Sequence, residues 1–265
     1  MQDCMTMTLD RKRRPMRGGV LILGALVASV CTACAPLLSA FDTKQSGSDR
    51  AAQGDVENLE GHEKPLTCAD SHSAVELVAL GNAELNKAIN HVHMPLSVNL
   101  FSGGELDDSD MQPILRDARD CFARARDLAP NNYVALLGLG IANTLSAMVS
   151  SQDTNAKRTY LQSAKLNLGK AFLVRNYPFE PIYYLAHAFI IEGQDQQAET
   201  LLKVLIRAQY KVGSAHLVLA EIASKRRNER AAEAEYRRVL EVGASGSELA
   251  WAASRITQIQ EGRRN

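Results

Sequence analysis

The chain has 265 residues, 46% of them hydrophobic and 5% aromatic, with 30 basic and 30 acidic side chains and no net formal charge. Few aromatics and few β-branched runs predict helices. The charge balance excludes a phosphate backbone as natural ligand, because affinity for nucleic acid is mostly cationic.

Taken in chain order, residues 1–33 read as an export signal. Arg11, Lys12, Arg13, Arg14 and Arg17 make a positive start, residues 20–30 an uncharged run, and Cys31-Thr32-Ala33-Cys34 a small-residue stretch. That run is shorter than the roughly twenty residues of a bilayer span. The residues before Cys34 resemble a bacterial lipobox, although Cys31 stands where Leu or Val is usual. The resemblance implies cleavage before Cys34, acylation of that residue with palmitate-like chains, and a lipid-anchored protein of the cell envelope, on an outer membrane and facing the periplasm. The alternative is ordinary cleavage at Ala33-Cys34-Ala35, which would leave Pro36 directly after the cut. Residues 34–70 are rich in Ser, Gly, Asp, Gln and Lys without periodicity, and read as a disordered tether with a reach on the order of 30 Å.

Helical periodicity starts after Ser71. Ser73 can cap a helix carrying Val75, Leu77, Val78, Leu80 and Leu85, which ends near His91. Residues 92–111, with Pro95, Gly103-Gly104 and Asp107-Asp108-Ser109-Asp110, read as a loop. Its acidic cluster lacks the Gly and the distal Glu of a calcium loop, so Asp108 or Asp110 is assigned as a helix cap, with Pro113 in the first turn. Further helices are predicted over 111–128, 133–145, a partner stretch around Ala164, Leu168 and Ala171, then 179–192, 194–206, 213–225 and 229–242. Ser247 is predicted to cap a last helix reaching about residue 259, and residues 261–265 form a tail.

Residues 179–243 match themselves at an offset of 34: Leu185-Ala186 falls on Leu219-Ala220, Ala198 on Ala232, Leu202 on Tyr236 and Leu205 on Val239. Earlier in the chain Ala118, Phe122, Ala125 and Pro130 follow an Ala-x3-Phe-x2-Ala-x4-Pro pattern. The period and the pattern together resemble the tetratricopeptide repeat family. The resemblance covers residues 71–260, as repeats near 71–130, 131–178, 179–212 and 213–246 with a capping helix at 247–260. It implies an all-α, right-handed superhelix (an α-solenoid) of about four helix pairs, whose first helices line a concave groove for protein or peptide segments. Carried over to this chain, the groove positions are Val75, Val78, Asn82 and Asn86, then Val134, Leu137 and Ile141, then Tyr183, His187 and Ile191, and finally Leu217, Glu221 and Lys225. Two arrangements stay open: a groove that receives a partner, and one covered by the chain's own 92–111 insertion or by its tether.

With Cys4 and Cys31 removed alongside the signal and Cys34 acylated, Cys68 and Cys121 remain. In an oxidising compartment they either form a disulfide tying the segment before the first helix to the second helix, or stay apart as an exposed thiol and a small buried residue. Catalysis finds no support. Among His62, His72, His91, His93, His187 and His216 the one close pair is His91-Val92-His93, whose spacing places the two rings on different faces of a helix with no Cys, Asp or Glu to complete a metal set. No Gly-rich phosphate loop and no serine elbow is present, so no enzyme activity, cofactor or metal is expected. The basic run Lys225-Arg226-Arg227 with Arg230, Arg237 and Arg238 is either a solvated face or a contact for anionic lipid or an acidic partner. Two function classes follow. One is a lipid-anchored scaffold for an envelope machine, similar in architecture to tight-adherence pilus assembly lipoproteins and secretin pilotins. The other is a periplasmic component of a transport system, holding a ligand or a protein.

Overall fold

Phe122 is wedged between two glycines. A β-carbon at Gly81 would stand 2.9 Å from its ring, and one at Gly138 would collide with it outright. Three helices meet there because two of them carry no side chain at the contact. The computed structural model describes residues 67–91, 95–102, 108–150, 153–175 and 179–264. These residues form ten helices and no strand: α1 Ala74–His91, α2 Leu96–Ser102, α3 Asp108–Leu128, α4 Tyr133–Val149 and α5 Thr154–Val174, then α6 Phe179–Glu192, α7 Asp195–Arg207, α8 Val212–Lys225, α9 Glu229–Val242 and α10 Gly246–Gly262. The fold is all-α, as expected. The export signal, Cys34, the tether, His93 and Gly103-Gly104 lie outside the described residues. None of the described helices is long and apolar enough to cross a membrane.

Local chemistry sets most helix ends. Asn132 accepts from the Ala135 N–H at 3.1 Å, Asp153 from those of Asn155 and Ala156 at 2.9 and 3.0 Å, and Asn228 from that of Ala231 at 3.2 Å. Each satisfies donors that the first turn leaves open. Gly193, at φ +82°, turns the chain out of α6. The last helix is capped two residues earlier than predicted: Ser245, not Ser247, forms a reciprocal capping box with Glu248.

Three other boundaries differ from expectation. The 92–111 insertion contains the helix α2. Asp110 and Pro113 both lie inside α3, which begins at Asp108. The helix predicted to stop near residue 145 runs on to Val149, since Leu145, Ala147 and Val149 are all buried.

Apart from α2, each helix packs on the next in the chain: α1 on α3, α3 on α4, and so on to α9 on α10. The first helices of successive pairs also touch, α1 with α4 and α4 with α6. The residues that match at the 34-residue offset are buried alike: Ala186, Ala198, Leu202 and Leu205 are fully buried, and so are Ala220, Ala232, Tyr236 and Val239. Small residues at these contacts let helix axes approach, and the larger ones fill the space between. At the front of the domain Cys68 is placed in a disulfide with Cys121 of α3, with Cα atoms 5.2 Å apart. Arg124 donates to the Ser71 carbonyl at 2.9 Å, so the segment before α1 is held on α3 twice.

Candidate ligand-binding cavity

The helix α2 does not lie beside its neighbours in sequence. It packs on α8 and α10, far along the chain. Val98 is buried in a cluster with Leu217 and Ala220 of α8, Tyr236 of α9 and Ala252 of α10. Fully buried Ser97 donates its hydroxyl to Glu248 Oε1 at 2.6 Å, across 151 residues. Leu96, Leu100 and Phe101 rest against the main core. Of the insertion, the described residues 96–102 lie against α8 and α10.

What remains beside α2 is a cavity of about 450 Å³. Its apolar wall is Ile89 of α1, Pro95, Leu96 of α2, and Ile141 and Leu145 of α4. Its other wall carries Tyr183 and Tyr184 of α6, Lys211, Ser214 of α8, Ser245 and Glu248. The first helices of all four pairs, α1, α4, α6 and α8, or the residues next to them, reach this one space together with the last helix, α10. The volume falls in the range of small-molecule sites, roughly 300–1,000 Å³.

The polar wall is built unevenly. Glu248 is buried, yet Oε1 accepts from Ser97 and Oε2 from the Ser245 hydroxyl at 2.8 Å and the Ser245 N–H at 3.0 Å. Burial pushes its carboxyl up, and hydrogen bonds from Ser214, Ser97 and Ser245 outweigh that and hold it below the usual carboxylate range. Lys211 has the opposite situation. Its Nζ stands 4.3 Å from the Tyr183 ring centroid, 5.8 Å from Tyr184 and 5.9 Å from Tyr210. No carboxylate of a described residue lies within 4.0 Å of it. Lys211 is exposed as a residue, and partial desolvation beside the three rings pulls its ammonium below the usual lysine range, opposed by the more distant Glu180 and Glu248. Burial likewise raises the phenols of Tyr183 and Tyr184, which therefore stay neutral.

The predicted groove residues scatter. Ile141 and Tyr183 line the cavity, and Leu137 is buried in the core next to them. His187 is fully buried behind Tyr183, its Nδ1 2.8 Å from the Tyr183 carbonyl. Val75 is 77% exposed, Asn86 is exposed, and Asn82 is half-buried. Val78 packs with Leu77, Ala125 and Ala135, Val134 is exposed, and Ile191 sits against Ala147, Leu161 and Ala188. Leu217 is fully buried in the cluster that contains Val98. Glu221 is buried under α10, accepting from Tyr236 at 2.5 Å and Trp251 at 2.6 Å. Lys225 leaves this face and pairs with Asp195 of α7 at 3.0 Å.

The basic run is largely neutralised on the outer surface, with Arg226 on Glu199, Arg237 on Glu233 and Arg238 on Glu241. Among the described residues no three His, Cys, Asp or Glu side chains converge as a metal set. Of the cavity residues missed from sequence, Ser245 and Glu248 carried a readable signal, the Ser-x-x-Glu capping box. Lys211, Tyr184 and Ile89 carried none, because they meet only through the packing of distant helices. Compared with protein-family models, with curated proteins and with solved structures, the chain matches none.

Proposed function

We propose that the chain is a non-catalytic binding module of tetratricopeptide-like helix pairs, held at the cell envelope by a lipid on Cys34, that carries a small ligand for a transport system. The lipid anchor rests on the sequence signals before Cys34. The helical-repeat reading rests on the 34-residue self-match and on the equal burial of the matched residues. One observation carries the ligand reading. The helix α2 packs on α8 and α10, and beside it lies a chamber lined by both apolar and polar side chains.

The test is native mass spectrometry of the full chain, purified without denaturant from its own cells. A retained small molecule is expected in the wild type and lost in Ile141→Trp, which fills the chamber. A folded wild type with no adduct, alongside a stable protein complex, would sink the ligand reading.

A second reading, a scaffold for an envelope machine, draws on one surface feature. Leu128, Val134, Leu173 and Val174 are each at least 39% exposed. Arg175 over the Tyr133 ring, 4.6 Å from its centroid, brings the end of α5 to the start of α4, so these side chains share one end of the helix pairs. Under that reading Leu128→Asp with Leu173→Asp releases a co-purifying protein and leaves any small ligand in place.

A further inference from the structure

We propose that the cavity beside α2 takes a small amphipathic carboxylate, a molecule with an apolar body and a single anionic end, and that Lys211 is its charge partner. The assignment rests on the chamber being the ligand site.

The chamber has two chemically distinct sets of lining residues, apolar ones from α1, α2 and α4 and mostly polar ones at α6, α8 and α10. Ile89, Leu96, Ile141 and Leu145 present only hydrocarbon, so an apolar body placed there is driven by removal of its surface from water, at roughly 25 cal/mol per Å². In the second set each polar group has a different degree of saturation. The Glu248 carboxylate already takes hydrogen bonds from Ser97 on one oxygen and from the Ser245 hydroxyl and N–H on the other. It has little left to offer a ligand cation. The Lys211 ammonium has three N–H donors and three surrounding aromatic rings, but no carboxylate of a described residue within 4.0 Å. Aromatic faces stabilise its charge without accepting a strong hydrogen bond. Lys211 is exposed, so water supplies the ammonium's acceptors in the free protein, and a ligand anion would replace that water with a charge-assisted hydrogen bond, worth about twice a neutral one.

Alternative ligand charges fit less well. A cation in the chamber would face Lys211 and meet a carboxylate whose lone pairs are engaged. A neutral polar end would leave the ammonium as it is. A carboxylate gives the ammonium an ionised acceptor.

The experiment is isothermal titration of the full chain with three probes of one length, decanoate, decan-1-ol and decylamine, each below its aggregation threshold. Decanoate is expected to bind at least ten-fold more tightly than the other two. Lys211→Gln keeps most of the side-chain stem and removes no ion pair, so it should fold as the wild type does by circular dichroism. It is expected to bring decanoate down to the affinity of decan-1-ol and to leave decan-1-ol unchanged. Ile141→Trp should abolish all three. Equal affinities for the probes, or decanoate binding that Lys211→Gln does not alter, would overturn the carboxylate assignment and leave the chamber as a site for some other ligand. Absence of binding by every probe to the wild type would overturn both.

Discussion

At Gly138 one hydrogen atom decides whether α3 and α4 pack. Its hypothetical β-carbon would overlap the Phe122 ring, which is fully buried and already close to Gly81 on the opposite side. The ring has nowhere to move. Gly138→Ala is expected to destabilise by about 1–3 kcal/mol, the usual cost of overpacking, although alanine is the better helix former. A melting temperature equal to that of the wild type would mean the ring is not held between the glycines. His187 makes a second prediction at this scale. A carbonyl only accepts, so Nδ1 carries the proton toward Tyr183, and Nε2 has no partner inside a fully buried site. Burial brings the imidazole down to about 4, with Lys211 lowering it further and the Tyr183 carbonyl and Glu248 opposing. The unfolded chain protonates this group near 6.5 and the folded chain only near 4. Stability is therefore intact above about pH 6.5 and declines as pH falls to about 4, by up to about 3 kcal/mol. Glu248, held low, loses its own contribution at still lower pH in wild type and variant alike. His187→Phe should flatten the pH dependence of the denaturation midpoint between pH 6.5 and 4. An unchanged slope would assign the acid sensitivity elsewhere.

The helices divide by how much of their burial is local. From α6 to α9 the pattern was readable, because equivalent residues of two pairs meet equivalent neighbours and the burial repeats with the period. The disulfide partners could be named, since two cysteines remained, but their approach could not, since spacing does not encode distance. The helix α2 was unreadable for a different reason. Seven residues are too few to be helical alone. What holds Leu96–Ser102 in place is Val98 against α8 and α10 and Ser97 on Glu248, contacts that exist only once the distant half has folded. The cavity inherits that invisibility, because α2 is one of its walls. Val98→Asp would put a carboxylate among Leu217, Ala220 and Ala252 and is expected to detach α2. Hydrogen exchange should then speed up at residues 96–102 while the amides of α5 stay protected. Equal exchange at residues 96–102 in both proteins would mean that α2 is not held by this contact.

A stack in which each helix touches mainly its neighbours loses stability locally, since damage to one interface does not reach the far end. The far end of this stack is held by one carboxylate. Glu221 of α8 accepts from Tyr236 of α9 and Trp251 of α10, and Arg255 of α10 lies 3.4 Å from it while also donating to Tyr236 and Ser224. Glu221→Ala leaves those donors without their common acceptor, at a cost of about 2–4 kcal/mol. On nearest-neighbour packing alone, faster exchange would be confined to α8, α9 and α10. The helix α2 changes that expectation, because it follows α1 in the chain and docks on α8 and α10, so loosening the last helices also removes its seat. Exchange in Glu221→Ala should therefore rise at α2 as well, while α4 and α5 are spared. Combined with Val98→Asp, the two losses should fall short of their sum by an amount in the range of about 0.5–3 kcal/mol, because each substitution spends part of the same interface. Strict additivity would make α2 a passenger on the surface. A shortfall of that size would make it the strap that joins the two halves of the molecule and keeps the chamber between them.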